Sequence, residues 1–235
     1  MIEAYSWVNS QTITISDVSY SYEYSAASFD YTVNAVDASE SVIKELSSGT
    51  STEAVSVYYP YMFENAGTWY VTSASTYLAE VSSLSTTVNI TYTPTEVAVV
   101  AYKEGEDVVK DGTEGSATLS NGFYGHVAAS KKASLGTLGA GKYTFYAKLS
   151  ERGDRGLYLR DNSNSDNSTN VIVSQQINRN SAAGIYSVDF ELAAETEVAL
   201  TGFTTTDATP KTNQSAGFDY VYIVRTGVYE APATA

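Results

Sequence analysis

The chain of 235 residues has 43% hydrophobic residues, 20 tyrosines, one histidine, no cysteine and a formal net charge of −14. The length accommodates one large domain or two small ones, and the apolar content excludes general disorder. The missing cysteine excludes disulfides, iron–sulfur clusters, thiolate zinc sites and cysteine nucleophiles. The acidic balance argues against nucleic acid and against an anionic membrane surface, both of which attract Lys and Arg.

The single histidine, His126, cannot supply a two-histidine metal site within one chain. A Ser-His-Asp triad would have to use it, yet no G-x-S-x-G elbow surrounds any serine. No apolar run reaches the roughly 18 residues of a membrane-spanning helix, so membrane insertion is not expected. No basic–apolar leader opens the chain. The acidic balance, the abundant Ser, Thr and Tyr and the scarce Lys lead to the expectation of a protein working outside the cell; a monomer within a longer multidomain chain is also expected.

Along the chain, period-two alternation dominates and helical periodicity is nearly absent. TITISDVSYSYEY sets Ile13, Ile15, Tyr20, Tyr22 and Tyr24 mostly at every second position. FDYTVNAVD follows. DASESVIKEL reads either as a short helix or as a turn and a strand. GTWYV and TTVNITYT read as strands. EVAVVAY opens a second series: KYTFYAKL, GLYLRD, NVIVSQQI, IYSVDFEL, EVALTGF and FDYVYIVR. These runs are rich in β-branched and aromatic residues and are bounded by Gly, Asn, Asp or Ser. An all-β chain is expected.

Composition shifts near TYTPTEV. Glycine is sparse before Pro94 (Gly49 and Gly67) and frequent from Gly105 to Gly227. Residues 1–96 are accordingly read as a small all-β accessory domain and residues 97–235 as a jelly-roll β-sandwich. So short a linker predicts domains that touch. The Asn/Ser run at 161–170 reads as a hairpin loop.

The first half runs from FDYTVNAVDASESVIKELSSG through GTWYV to STTVNITYTP. With its closing strand and its Trp69-Tyr70 pair, it resembles the small β-grasp-type accessory domains, related to mucin-binding repeats, of bacterial surface proteins. The resemblance implies a β-grasp-like domain, with an Ig-like one as the alternative. Its many aromatics suit core packing, since a sugar-stacking platform would need exposed rings on one face.

YKEGED, residues 102–107, sets Glu104, Glu106 and Asp107 close together. In an extended segment Glu104 and Glu106 point to one side and Asp107 to the other. Asp219 opens an otherwise apolar and aromatic strand, where burial without a counter-charge is costly. In a jelly roll the first and last strands are commonly neighbours, which would bring Asp219 to the glutamates. Two readings stand at this point. One is a solvated turn with Asp219 flanking a loop. The other is a calcium site, with oxygen ligands at about 2.3–2.6 Å.

AYKEGED is similar to the Glu-x-Glu-Asp opening of calcium-binding jelly-roll carbohydrate-binding modules such as families 6 and 35. LGTLGAGKYTFYAKL resembles their central Gly-x-Tyr-x-Phe strand, and GFDYVYIVR their last strand. The resemblance implies a galactose-binding-like sandwich with one structural calcium on Glu104, Glu106 and Asp219.

Neutral glycans are held by an aromatic face and by polar groups that read hydroxyls. The candidates are Tyr124 and His126 in NGFYGH, Arg152, Arg155 and Tyr158 in SERGDRGLY, and Asn213 and Gln214 in DATPKTNQSAG. Each has a structural alternative. Phe123 and Tyr124 would plug the end of a sandwich, and the arginines would pair with Glu151 and Asp154 on a solvated turn. The resembled modules carry an Asn just before the last strand, whereas Gly217 stands there in this chain.

Two functions therefore stand. One is a non-catalytic carbohydrate-binding fragment of a larger glycan-degrading or surface protein, taking a polysaccharide or oligosaccharide. The other is an adhesive or structural spacer without a glycan ligand. Paired carboxylates also perform glycoside hydrolysis, but two small β domains suggest no deep cleft, and no enzyme is expected.

Overall fold

The computed structural model describes residues 27–111, 115–128, 132–149, 155–162, 171–176, 184–204 and 215–232. The expected strand TITISDVSYSYEY lies outside them, as do Arg152, Asn213 and Gln214. The protein is all-β. The described helical pieces are one turn, α1 (Glu106–Val109), and a 3-10 turn at Ser120–Gly122.

Strands β1 (Phe29–Val36), β2 (Val42–Ser51) and β7 (Thr87–Thr91) form a three-stranded sheet in the order β2-β1-β7. β1 runs antiparallel to β2 and parallel to β7. DASESVIKEL resolves as a turn followed by β2. Asp37 Oδ1 accepts from the backbone N–H groups of Ser39 and Ser41, at 2.8 and 3.0 Å, and this Asx-type turn competes with any helix start.

β3 (Val55–Tyr58) pairs with β6 (Leu78–Val81). β5 (Thr68–Val71) sits between β4 (Met62–Asn65) and the short β8 (Thr93–Pro94). These strands enclose Val33, Ala35, Val57, Tyr59, Phe63, Tyr77, Ala79, Val81 and Tyr92. Among the described aromatics of this half, Tyr59, Phe63, Tyr77 and Tyr92 are core, while Tyr31, Tyr61 and Tyr70 are partly buried against it. Tyr92 is fully buried, and its hydroxyl donates to the carbonyl of Pro60.

Two sheets face each other beyond residue 97. The larger contains β9 (Ala98–Glu104), β10 (Lys110–Asp111), β11 (Tyr124–Ala128), β13 (Gly141–Leu149), β16 (Ile185–Leu192) and β18 (Ser215–Gly227). The smaller has the order β12-β17-β14-β15, with β12 (Ala133–Leu138), β14 (Arg155–Asp161), β15 (Val171–Gln176) and β17 (Thr196–Thr204). Alternate residues of both sheets meet in one core: Phe145, Leu149, Phe218, Val221 and Ile223 from the larger, Leu157, Leu159, Val198 and Leu200 from the smaller. Burying each such side chain stabilises the fold by about 1.5–3 kcal/mol. This is a β-sandwich.

No described strand pairing joins residues 29–94 to residues 98–227, yet the two parts are in contact. Met62, Val99 and Val224 are buried together, and Tyr61, Trp69, Val71, Tyr102, Tyr146 and Tyr222 pack around them. Tyr102, Tyr222 and Tyr146 form one row across β9, β18 and β13. Tyr146 and Tyr222 stack with ring centroids 4.6 Å apart.

Candidate metal centre

The last strand organises the acidic centre. β18 is flanked on one side by β13 and on the other by two strands in succession. β11 pairs with its start, Gly125 opposite Phe218, and β9 pairs with its continuation, Glu104 opposite Tyr220. Asp219 falls at the changeover. Along β13 the register skips it: Leu149 pairs with Phe218 and Lys148 with Tyr220. Asp219 is therefore the extra residue of a β-bulge. Phe218, Val221 and Ile223 all reach the sandwich core, while the bulge re-aims the aspartate, a known use of such irregularities.

YKEGED is not extended throughout. Glu104 ends β9, the chain bends at Gly105, and Glu106 begins α1. The expected same-side alternation of Glu104 and Glu106 does not apply at such a bend. Gly105 N–H donates to the Asp219 carbonyl at 2.7 Å. A Cβ on Gly105 would come within 2.3 Å of the Phe218 carbonyl oxygen and 2.4 Å of Gly125 N. Only glycine allows β9, β11 and β18 to approach this closely.

Asp219 is 0% exposed and Glu104 5%. Ser120 serves both: its N–H donates to Asp219 Oδ1 at 2.9 Å and its hydroxyl to Glu104 Oε1 at 2.7 Å. Tyr102 OH donates to the same Glu104 oxygen. The second oxygens, Glu104 Oε2 and Asp219 Oδ2, are buried without a hydrogen-bond partner among the described residues. Buried charge of this kind is strongly unfavourable. Burial pushes the Glu104 carboxyl up to about 8, against the opposing pull of its Tyr102 and Ser120 hydrogen bonds. Burial likewise pushes Asp219 up to about 8, against the Ser120 N–H and the Lys148 charge. Glu106 raises both further by repulsion. Asp107 is exposed.

Such a centre has two ways to relieve the cost. The acids can hold protons, or a cation can sit against the two bare oxygens. Hard carboxylate oxygens suit calcium or magnesium over transition metals. Among the described residues, no three His, Asp or Glu side chains are gathered closely enough to enclose an ion by themselves. An ion here would take carbonyl oxygens or water as well, as calcium ordinarily does.

The glycan candidates are not gathered in the same way. Tyr124 and His126 lie on β11 of the larger sheet. Arg155 and Tyr158 lie on β14 of the smaller one, and Tyr124 is half-buried. Phe123 is half-buried. It meets Tyr58 of the first half edge-on, with centroids 5.9 Å apart. Sequence reasoning missed Ser120, Tyr102 and Tyr61 as parts of the acidic centre. Tyr102 carried a signal, since it precedes Glu104 by two positions on one strand. Ser120 sits in an ordinary-looking polar turn and carried none.

No family model matches the chain, and no curated protein matches it. Among solved structures, a carbohydrate-binding module of a Cellvibrio mixtus lichenase, in complex with cellotriose, aligns over 73% of this chain and 97% of that chain. The identity is 11% and the TM-score 0.29, a likeness that carries no argument about this protein. The chain itself is all-β, with a β-sandwich and a buried acidic centre.

Proposed function

We propose that the chain is a non-catalytic carbohydrate-binding fragment of a larger exported bacterial glycan-degrading or surface protein, with a structural calcium ion in its sandwich. In this reading residues 1–96 are an accessory domain and residues 97–235 the binding module. The observation that carries the calcium assignment is the pair of buried oxygens, Glu104 Oε2 and Asp219 Oδ2, without a hydrogen-bond partner among the described residues. Glu104 and Asp219 would hold the ion with Glu106 beside them. Bound there, the ion supplies the positive charge that keeps these acids ionised at neutral pH.

Support for the glycan assignment comes from the sequence resemblance. Of the stretches that carry it, the start of AYKEGED lies on β9, KYTFYAKL on β13 and FDYVYIVR on β18, which are side by side in one sheet. Tyr124, His126, Arg152, Arg155, Tyr158, Asn213 and Gln214 are the residues proposed to contact sugar. The test is affinity electrophoresis against plant, host and microbial polysaccharides, with Tyr124→Ala as the comparison. Retardation of the wild type that weakens in the variant supports the reading. No retardation on any of them leaves the spacer function.

A further inference from the structure

We propose that Ser120 is a positioning residue for the acidic centre and that the first half of the chain, through Tyr58 and Tyr61, completes that centre. Cation affinity then depends on the docking of residues that lie outside the sandwich. The inference rests on the cation reading above and adds the part that controls it.

Ser120 is 0% exposed, and its hydroxyl and N–H take part in three directed hydrogen bonds. Two go to the carboxylates, one oxygen on each. The third comes from the other half: Tyr61 N–H donates to Ser120 Oγ at 2.7 Å. A hydroxyl that accepts from Tyr61 has its own hydrogen turned toward Glu104. By engaging Oε1 and Oδ1, Ser120 leaves Oε2 and Oδ2 as the oxygens open to a ligand. This is the role that orienting groups behind metal ligands perform.

The loop that carries Ser120 is anchored on the first half. Asn121 N–H donates to the Tyr59 carbonyl at 2.9 Å, and Tyr77 N–H donates to the Ala117 carbonyl at 2.6 Å. The Tyr58 ring lies against the backbone at Gly115 and Gly122, where a Cβ on either would come within 2.4 Å of it. Two glycines face one ring, and Gly122 also has a φ of +81°, a conformation that glycine adopts freely. Tyr61 stacks on Tyr220, the residue after Asp219. The acidic centre is therefore clasped between strands of the sandwich and a loop that the first half holds down. By linkage, whatever the docked half does for cation affinity, the cation does for docking.

The experiment is calorimetric titration of calcium chloride into the full chain. The variants are Tyr58→Leu, Ser120→Ala, Ser120→Thr and, as a control, Leu84→Ser at a fully exposed position remote in sequence. Ser120→Ala and Tyr58→Leu are expected to weaken calcium by about 10–100-fold, the range for disturbed orienting groups. Ser120→Thr, which keeps the hydroxyl, is expected to recover most of the affinity, and Leu84→Ser to match the wild type. If the wild type binds calcium and folded Tyr58→Leu binds it equally well, the coupling is overturned while the cation reading stands. If the wild type takes up no calcium, both fall. If Tyr58→Leu does not fold, Ser120→Ala against Ser120→Thr decides alone: equal affinities overturn the positioning role.

Discussion

Tyr61 and Tyr220 stack face to face, with ring centroids 4.4 Å apart and planes 5° from parallel. One belongs to the first half of the chain. The other is the neighbour of Asp219 on the last strand. The stack joins hydrophobic contact between the halves to the acidic centre, because Tyr61 also donates its N–H to Ser120. Replacing the ring by Ala is expected to lower stability by about 2–3 kcal/mol, somewhat below a full buried aromatic truncation because Tyr61 is only half-buried. Urea denaturation of wild type and Tyr61→Ala measures it, and an unchanged midpoint would contradict the role of the stack.

Calcium is expected to raise the melting temperature of the wild type and EDTA to lower it. The gain follows RT ln(1 + [L]/Kd), about 2.7 kcal/mol at a hundredfold excess over Kd. Asp219→Ala removes one of the bare oxygens and should melt at the same temperature in calcium and in chelator. A wild type indifferent to both would show that protons alone relieve the buried acids.

The pH dependence without metal has a definite sign. Glu104 and Asp219 are raised from 4.5 and 3.8 to about 8 in the fold. Between those limits the native state holds protons that the unfolded chain has released. Stability in EDTA should therefore be fullest below about pH 4 and fall as pH rises toward 8, by no more than about 1.4 kcal/mol per pH unit for each acid. Asp219→Asn should flatten the slope. Saturating calcium should also flatten it, since the ion replaces the protons. Denaturation midpoints at a series of pH values read this directly, and a metal-free stability that rises from pH 4 to 8 would contradict it.

Gly105→Ala tests the close approach at the bend. The added methyl meets a carbonyl oxygen and a backbone nitrogen, neither of which can swing aside like a side-chain end. A loss of about 3 kcal/mol, at the upper end for overpacking, is expected. Gly139→Ala is the control, because nothing lies within 4 Å of its Cβ position. Similar melting of the two variants would mean that the three strands can separate at little cost.

Much of the strand order in sequence was legible without coordinates. Period-two alternation in FDYTVNAVD, KYTFYAKL and FDYVYIVR is a property of the pleat itself, and each becomes a strand. The suspicion that Glu104 and Asp219 meet also had a sequence basis, because an aspartate amid Phe218, Tyr220 and Val221 is too costly to bury without reason. What the sequence could not hold was direction. Alternation alone predicts that Asp219 and Val221 share a face, and a bulge opposite Lys148 and Leu149 changes that. A bulge depends on the register of the partner strand, which no local pattern encodes. Alternation likewise predicts that Glu104 and Glu106 share a side, but Gly105 bends the chain because β11 and β18 crowd it there. Ser120 was illegible for a stronger reason. Its role depends on Glu104, Asp219 and Tyr61, distant from it and from one another along the chain, and only tertiary packing brings three such partners to one hydroxyl and one N–H.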